Sequence, residues 1–432
     1  MQLMKNKKIL FSVTMCFFAV TIVALMFAAD NAVAETKFTV KPYFSAVGRL
    51  DSNFYKEEDN EREVYTYLLA PGIQLGAETP KSNVNLYYTL EAYFYEDKDD
   101  LLPGERKADD EDYVGHLALF KAQWSPVERF TLGLKDDFYL TRHPIDADRF
   151  SESVEREKYW VNRFTPLIFY EFKYRFSVGL RYRRTDIEFE DSDEADFLEH
   201  RGIINLLYNP SRTLTLDLDY QRWTNEEDSK ALESREYTSD QIQLVAEKRY
   251  KYFAFEGGVG YQNRDFEDIG DPDVEDADVI NWKFAVTGQN PPPQEQRRLL
   301  GRQFLRAKSH VYAAVERNFN NLGYFFDTFK AYRYTASVGH VFLEKIRAGV
   351  RGFYQTSDYI ASDREDDIFD LSGTIGYLIT KKMEISFTAG RQERDSNLDG
   401  QSYENDYLFL KFDFNYDIGS RGDFSEEGSY YR

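Results

Sequence analysis

The chain of 432 residues has a single cysteine, Cys16, and only five histidines. One thiol cannot form an intrachain disulfide, so a disulfide framework and a multi-cysteine metal site are both excluded. The only long apolar run, 9–29, lies at the start, and nothing after it approaches the ~20 residues of a spanning helix. Basic charge is in deficit as well. With 54 Lys+Arg against 75 Asp+Glu the net charge is -21, the wrong sign for a protein that must neutralise phosphates. No nucleic-acid partner is expected. The histidines, His116, His143, His200, His310 and His340, are scattered, and none falls in an HExxH motif or beside a serine nucleophile signature. No catalytic residue, metal ligand or cofactor is therefore assigned. The densest acidic cluster, 271–278, has Pro272 where a calcium loop needs flexibility, and lacks that loop's glycine and terminal glutamate. It reads as a solvated loop.

Aromatic residues, by contrast, are abundant at 16%. They sit in a chain whose mean hydropathy, -0.60, is far too polar for a helical membrane protein. Alternation reconciles the two facts. In 213–222, Leu214, Leu216, Leu218 and Tyr220 share one face of a strand, and Thr213, Thr215, Asp217, Asp219 and Gln221 share the other. One face suits hydrocarbon and the other could line water. The pattern recurs at 84–95, 253–262, 280–288, 383–392 and 408–416. Repeated strands of about ten residues are the signature of a transmembrane, antiparallel up-and-down β-barrel, an all-β fold. A soluble sandwich or propeller would show more regular turn spacing.

Lys5, Lys7 and Lys8 precede the apolar run, and Ala32-Val33-Ala34 offers a small-residue cleavage point before Glu35. Residues 1–34 are expected to be a secretory signal peptide, 35–416 the barrel and 417–432 a periplasmic C-terminal tail. Removing the signal, with its three lysines and one aspartate, takes away Cys16 and leaves a net charge near -23. Connections alternate between short turns (78–82, 125–128, 209–212, 342–345, 380–382) and long acidic segments (96–111, 186–199, 223–236, 263–278, 357–367). Short turns belong on the periplasmic side of an outer-membrane barrel and long loops outside. About eighteen strands fit between 38 and 416, an even number that leaves both termini in the periplasm. Pro291-Pro292-Pro293 cannot join a ladder and falls in a long periplasmic connection.

At this strand count a barrel encloses an aqueous lumen. Asp217, Asp219, Glu247 and Glu256 fall on the inferred inward face of three neighbouring strands. Arg333, Arg347 and Arg351 fall on two strands further on, taken here as the opposite wall, and Arg181 and Arg183 form a second basic group. These are the pore-lining candidates. Either they set a transverse field across a wet pore or they pair along the wall as cross-strand ladders.

The strand ending Leu50-Asp51-Ser52-Asn53-Phe54, then Ala70-Pro71-Gly72, the tyrosines Tyr87, Tyr88, Tyr93 and Tyr95, the acidic loop running to His116, and Trp124-Ser125-Pro126 followed by Arg129 and Leu132 resemble the putative β-barrel porin 2 family and relatives encoded with exopolysaccharide-export genes. The resemblance covers about the first third of the chain. Leu50 stands where the family pattern has Tyr, and 417–432 follow the last aromatic strand as a polar tail. It implies a Gram-negative outer-membrane channel, porin-like, passing hydrophilic solutes or exporting exopolysaccharide. Expected partners are outer-membrane lipid and surface glycolipid, the barrel-assembly machinery and polysaccharide-export proteins. A scaffolding barrel that sheathes a partner and a barrel hydrolase are the alternatives.

Overall fold

The computed structural model describes residues 36–98, 101, 107–143, 150, 156–173, 175–190, 195–228, 235–266, 277–290, 308–320, 328–360, 362–380 and 382–415. The expected signal peptide, the polar tail, the triproline and residues 271–276 of the acidic cluster lie outside the described residues.

Eighteen strands follow one another: β1 (Lys37–Asp51), β2 (Val64–Glu78), β3 (Ser82–Asp97), β4 (Tyr113–Val127), β5 (Phe130–Thr141), β6 (Tyr159–Phe172), β7 (Phe176–Phe189), β8 (Asp196–Ser211) and β9 (Leu214–Asp228) form the first half. β10 (Arg235–Arg249), β11 (Phe253–Phe266), β12 (Ala277–Asn290), β13 (Ser309–Phe319), β14 (Phe329–Phe342), β15 (Ile346–Tyr359), β16 (Glu365–Thr380), β17 (Met383–Ser396) and β18 (Tyr403–Asn415) form the second. Each pairs antiparallel with its sequence neighbours, and β1 pairs with β18 from Tyr43↔Asn415 to Asp51↔Tyr407, closing the sheet. Closure leaves no edge, which matters because an unpaired backbone group in hydrocarbon costs several kcal/mol.

The alternation sets the facing. On β9, Leu218 and Tyr220 are 38% and 39% exposed while Asp219 and Trp223 are 7% and 2% exposed. Outward rows of Leu, Ile, Val and aromatic residues form the lipid band, closed on the extracellular side by outward polar groups. There the Tyr220 hydroxyl donates to Asp240 at 2.6 Å, Arg184 pairs with Asp186, and Arg391 pairs with Glu404.

The long acidic segments are shorter as loops than the sequence suggests. Residues 186–189, 196–199 and 223–228 continue β7, β8 and β9, and 365–367 begin β16. Above the lipid band the outward face meets water, so both faces turn polar and the period of two disappears although the ladder continues. Apolar burial is concentrated inside the extracellular ends. Phe54, Val64, Tyr93, Tyr95 and Tyr113 form one cluster there, and Tyr159, Val161, Ile187, Phe189 and Phe197 another.

Candidate functional site: the lumen and its extracellular mouth

The inward charges meet one another along the wall. Arg181 donates to Asn205 at 2.6 Å and lies 3.6 Å from Asp219. The Asn205 amide in turn donates to Asp219 at 2.5 Å and reaches Asp217 at 3.4 Å. One step higher, Glu199 accepts from Arg183 at 2.8 Å and from Arg201 at 2.6 Å, and the Arg201 guanidinium lies 3.9 Å over the Trp223 ring. Glu247 and Glu256 are direct cross-strand partners, two like charges held together by Arg249 against the first and Lys283, at 3.4 Å, against the second. A buried carboxylate is tolerable only when so partnered.

The arginines of β14 and β15 are held the same way. Arg347 pairs with Glu384 at 3.5 Å, Arg351 donates to the Ser372 hydroxyl at 3.1 Å, and Arg333 donates to Gln355 at 3.1 Å while stacking 3.8 Å over Phe353. Tyr407 donates to Asp370 at 3.3 Å, lying flat above Gly390, where a Cβ would stand 2.3 Å from its ring. Only glycine leaves room for that tyrosine against the wall.

All nine candidates point inward, but the expectation that they form opposite walls is corrected. The acidic and basic groups do not face each other across the lumen. Eighteen strands share the circumference at about 20° each, so β9–β11 and β14–β15, three to six strands apart, are about 60–120° apart. Nor are they level. Asp217, Asp219, Glu247, Glu256 and Arg347 lie near the ends joined by short turns, whereas Arg333 is four residues from the extracellular start of β14. Sequence order fixes neither angle nor height, because both accumulate from the register of every intervening pair.

The extracellular mouth was not foreseen. Phe150, in the β5–β6 connection, is 1% exposed and packs on Phe329 and Ala331 of β14, with Tyr359 of β15 beside them. Gln355 donates to its carbonyl at 3.4 Å, and Arg333 lies 6.0 Å from its ring. Since β5 and β14 are nine strands apart in an 18-stranded barrel, this contact crosses the lumen. Arg156, from the same connection, sits 4.0 Å over Phe54 and donates to the Tyr95 hydroxyl at 3.3 Å. Beside it a cavity of about 480 Å³ opens, lined by Tyr55, Lys56, Glu57, Glu111, Arg156 and Arg394 among others. No sequence motif marks this assembly, because a lone apolar residue in a polar connection has no local period to read.

Lys56, in the β1–β2 connection, lies 5.3 Å over the Tyr403 ring. Desolvation, then the positive charges of Arg394, Arg156 and Arg49, pull its ammonium down to about 7. Lys56 therefore stays protonated below pH 7 and loses its charge above it, while an unfolded lysine keeps its proton to about 10.4. Between these values the unfolded chain binds more protons, so this residue's contribution to stability rises with pH above 7. As pH falls from 8 to 6 the mouth gains one positive charge, and reversal potentials in a salt gradient should shift toward anion preference. In Lys56→Met that pH dependence should vanish; an unchanged shift would place the titrating group elsewhere.

Among the histidines, His340 Nδ1 shares a 2.7 Å hydrogen bond with Ser309 Oγ, at the edge of Phe342. Among the described contacts of His340 there is no carboxylate to orient it, the third member that a serine nucleophile requires. His116 and His200 bond to Tyr88 and Tyr182 on the outer face. Among the described residues no group of three or more His, Cys, Asp or Glu could hold a metal ion.

In comparisons with known proteins, no curated sequence matches. Among solved structures the chain is similar to OccAB4 of Acinetobacter baumannii, at 11% identity and a TM-score of 0.45 over 89% of this chain and 100% of that one. It is also similar to OccK7 (OpdD) of Pseudomonas aeruginosa, at 11% identity and a TM-score of 0.47 over 88% and 99%. Residues 327–416 match the model of the family described as Putative beta-barrel porin 2. The match falls on β14–β18, not on the N-terminal third where the motifs quoted above lie. With its closed 18-stranded wall, apolar outer band and charged interior, the chain is a porin-like β-barrel of the outer membrane that carries this family's signature in its last five strands.

Proposed function

We propose that the barrel is a water-filled channel passing small hydrophilic solutes by diffusion, without cofactor or catalysis. The observation that carries this is the charged inner wall running up to a mouth narrowed by Phe150. Fixed charges in a confined aqueous path bias local ion concentration and orient dipolar solutes. Export of an exopolysaccharide chain, or sheathing of a partner protein, would need a lumen clear of the crossing at Phe150. Small solutes are therefore the favoured cargo.

Planar-bilayer recording of the refolded protein tests the proposal. Ohmic single-channel steps are expected, together with exclusion of large polyethylene glycols that a polysaccharide conduit would admit. Absence of conductance would overturn the channel reading. The double substitution Arg347→Glu with Arg351→Glu should move ion preference toward cations. That shift should shrink as salt rises, since the Debye length falls from about 10 Å at 0.1 M to about 3 Å at 1 M. A selectivity that does not move would mean that these arginines act within the wall, as in the contacts of Arg347 with Glu384 and of Arg351 with Ser372.

A further inference from the structure

Arg264 stands near the extracellular end of β11 and is 0% exposed. Its guanidinium donates from Nη1 to the Thr328 hydroxyl at 3.1 Å and from Nη2 to the Asn320 carbonyl at 2.9 Å, between the rings of Tyr237 and Phe319 at 4.5 and 5.0 Å. None of these contacts is a carboxylate. Nε has no hydrogen-bond partner among the described residues. The two rings attract the cation, yet a buried charge held only by neutral groups and short of one hydrogen bond still costs free energy. Other inner arginines avoid that cost, since Arg183 and Arg201 share Glu199 and Arg347 has Glu384. What Arg264 grips must account for its place.

It grips the β13–β14 connection at both ends. Asn320 directly follows β13 and Thr328 directly precedes β14. Ala277, the cross-strand partner of Arg264 on β12, ends at its Cβ, so the long side chain can pass over that strand. Asn320 in turn holds Phe329 twice: its N–H donates to the Phe329 carbonyl, and its side-chain oxygen accepts from the Phe329 N–H, both at 3.2 Å. The Thr328 carbonyl accepts from the Ile360 N–H at 2.9 Å, and Ile360 packs with Phe319, Ala277 and Val279. Phe329 is the residue on which Phe150 docks across the lumen. The receiving side of the crossing is therefore tied to β11 through one guanidinium.

We propose that Arg264 is the positioning residue of the mouth: by gripping Asn320 and Thr328 it fixes where Phe329 stands, and with it how much of the time Phe150 is docked. This rests on reading the barrel as a channel narrowed at Phe150. The task suits arginine, whose planar fork serves two acceptors at a fixed angle, whereas lysine offers a point donor on a flexible stem.

Tryptic cleavage of the detergent-purified barrel reads the docking independently of conduction. Phe150 must leave its pocket before trypsin can close on the Arg149–Phe150 bond, so the rate of that cut follows the undocked population. Arg264→Met keeps the length and removes the fork. It should speed the cut about tenfold, the factor carried by a loss of about 1.4 kcal/mol in docking. Arg264→Lys keeps the charge and should act in the same direction. In a Phe150→Ala background Arg264→Met should add nothing, because both changes act on one contact. Single-channel conductance should follow the same order, rising in both Arg264 variants and unaltered by Arg264→Met once residue 150 is alanine. An unchanged cut in Arg264→Met, parental behaviour in Arg264→Lys, or full additivity with Phe150→Ala would each overturn the proposal. If Arg264→Met does not insert, Thr328→Val, which removes one acceptor and keeps the shape, should speed the cut to a smaller extent, and no change there would be equally fatal. A barrel that shows these cleavage rates without conducting would overturn the channel reading and leave the positioning role standing.

Discussion

Phe150→Ala should enlarge and destabilise the mouth of the channel: mean single-channel conductance is expected to rise and open-channel noise to increase. The ring is buried against Phe329 and Ala331, on the wall opposite its own connection. Burying a phenylalanine side chain is worth ~1.5–3 kcal/mol. Losing about 2 kcal/mol would lower the ratio of docked to undocked connection roughly 30-fold, since 1.4 kcal/mol is a factor of ten. Global stability should change little, because the strand ladders on either side are untouched. Phe329→Ala breaks the same contact from the other wall and should give the same phenotype. Combining the two should add little, as expected for residues that share one contact. Unchanged conductance in both single variants would show that the crossing at Phe150 does not limit the pore.

A second large effect is expected in the outward apolar row of β9. Leu218 is exposed on the outer face of β9, between Leu216 and Tyr220, while its neighbour Asp217 faces the lumen. Leu218→Arg should destabilise the barrel by about 2–4 kcal/mol, the cost of a cation near the bilayer midplane. Asp217→Asn should cost well under 1 kcal/mol, because it keeps the shape and the hydrogen bond to Asn205 in a solvated wall. Equilibrium unfolding in lipid vesicles with guanidinium measures both. Similar costs for the two substitutions would mean that β9 does not alternate between lipid and water, because a one-residue slip exchanges the faces.

Much of this architecture is legible in the sequence. The aromatic row Leu408, Leu410, Phe412 and Phe414 marks β18 as a strand, and Phe44↔Phe414 and Leu50↔Leu408 are the pairs through which it closes the barrel on β1. The inward assignment of Asp217, Asp219, Glu247, Glu256 and the five arginines follows from the same period. Their partners do not. Asn205 between Arg181 and Asp219, or Ser372 beside Arg351, becomes visible only once the register of β7–β9 and β15–β16 is known.

The sequence by itself pointed to strands that cross a membrane, to about eighteen of them, to the face of each that meets lipid and to the strand ends that carry the long connections. Those properties rest on a two-residue period and on turn residues, both local in the chain. The tertiary structure alone decided how far each strand continues beyond the lipid band, where around the wall each charge stands, and that Phe150 reaches Gln355, 205 residues away, across the lumen. Angle and height around a barrel are sums over the register of all the pairs between two residues. A contact across the lumen depends on closure itself. Neither quantity exists until the last strand has paired with the first.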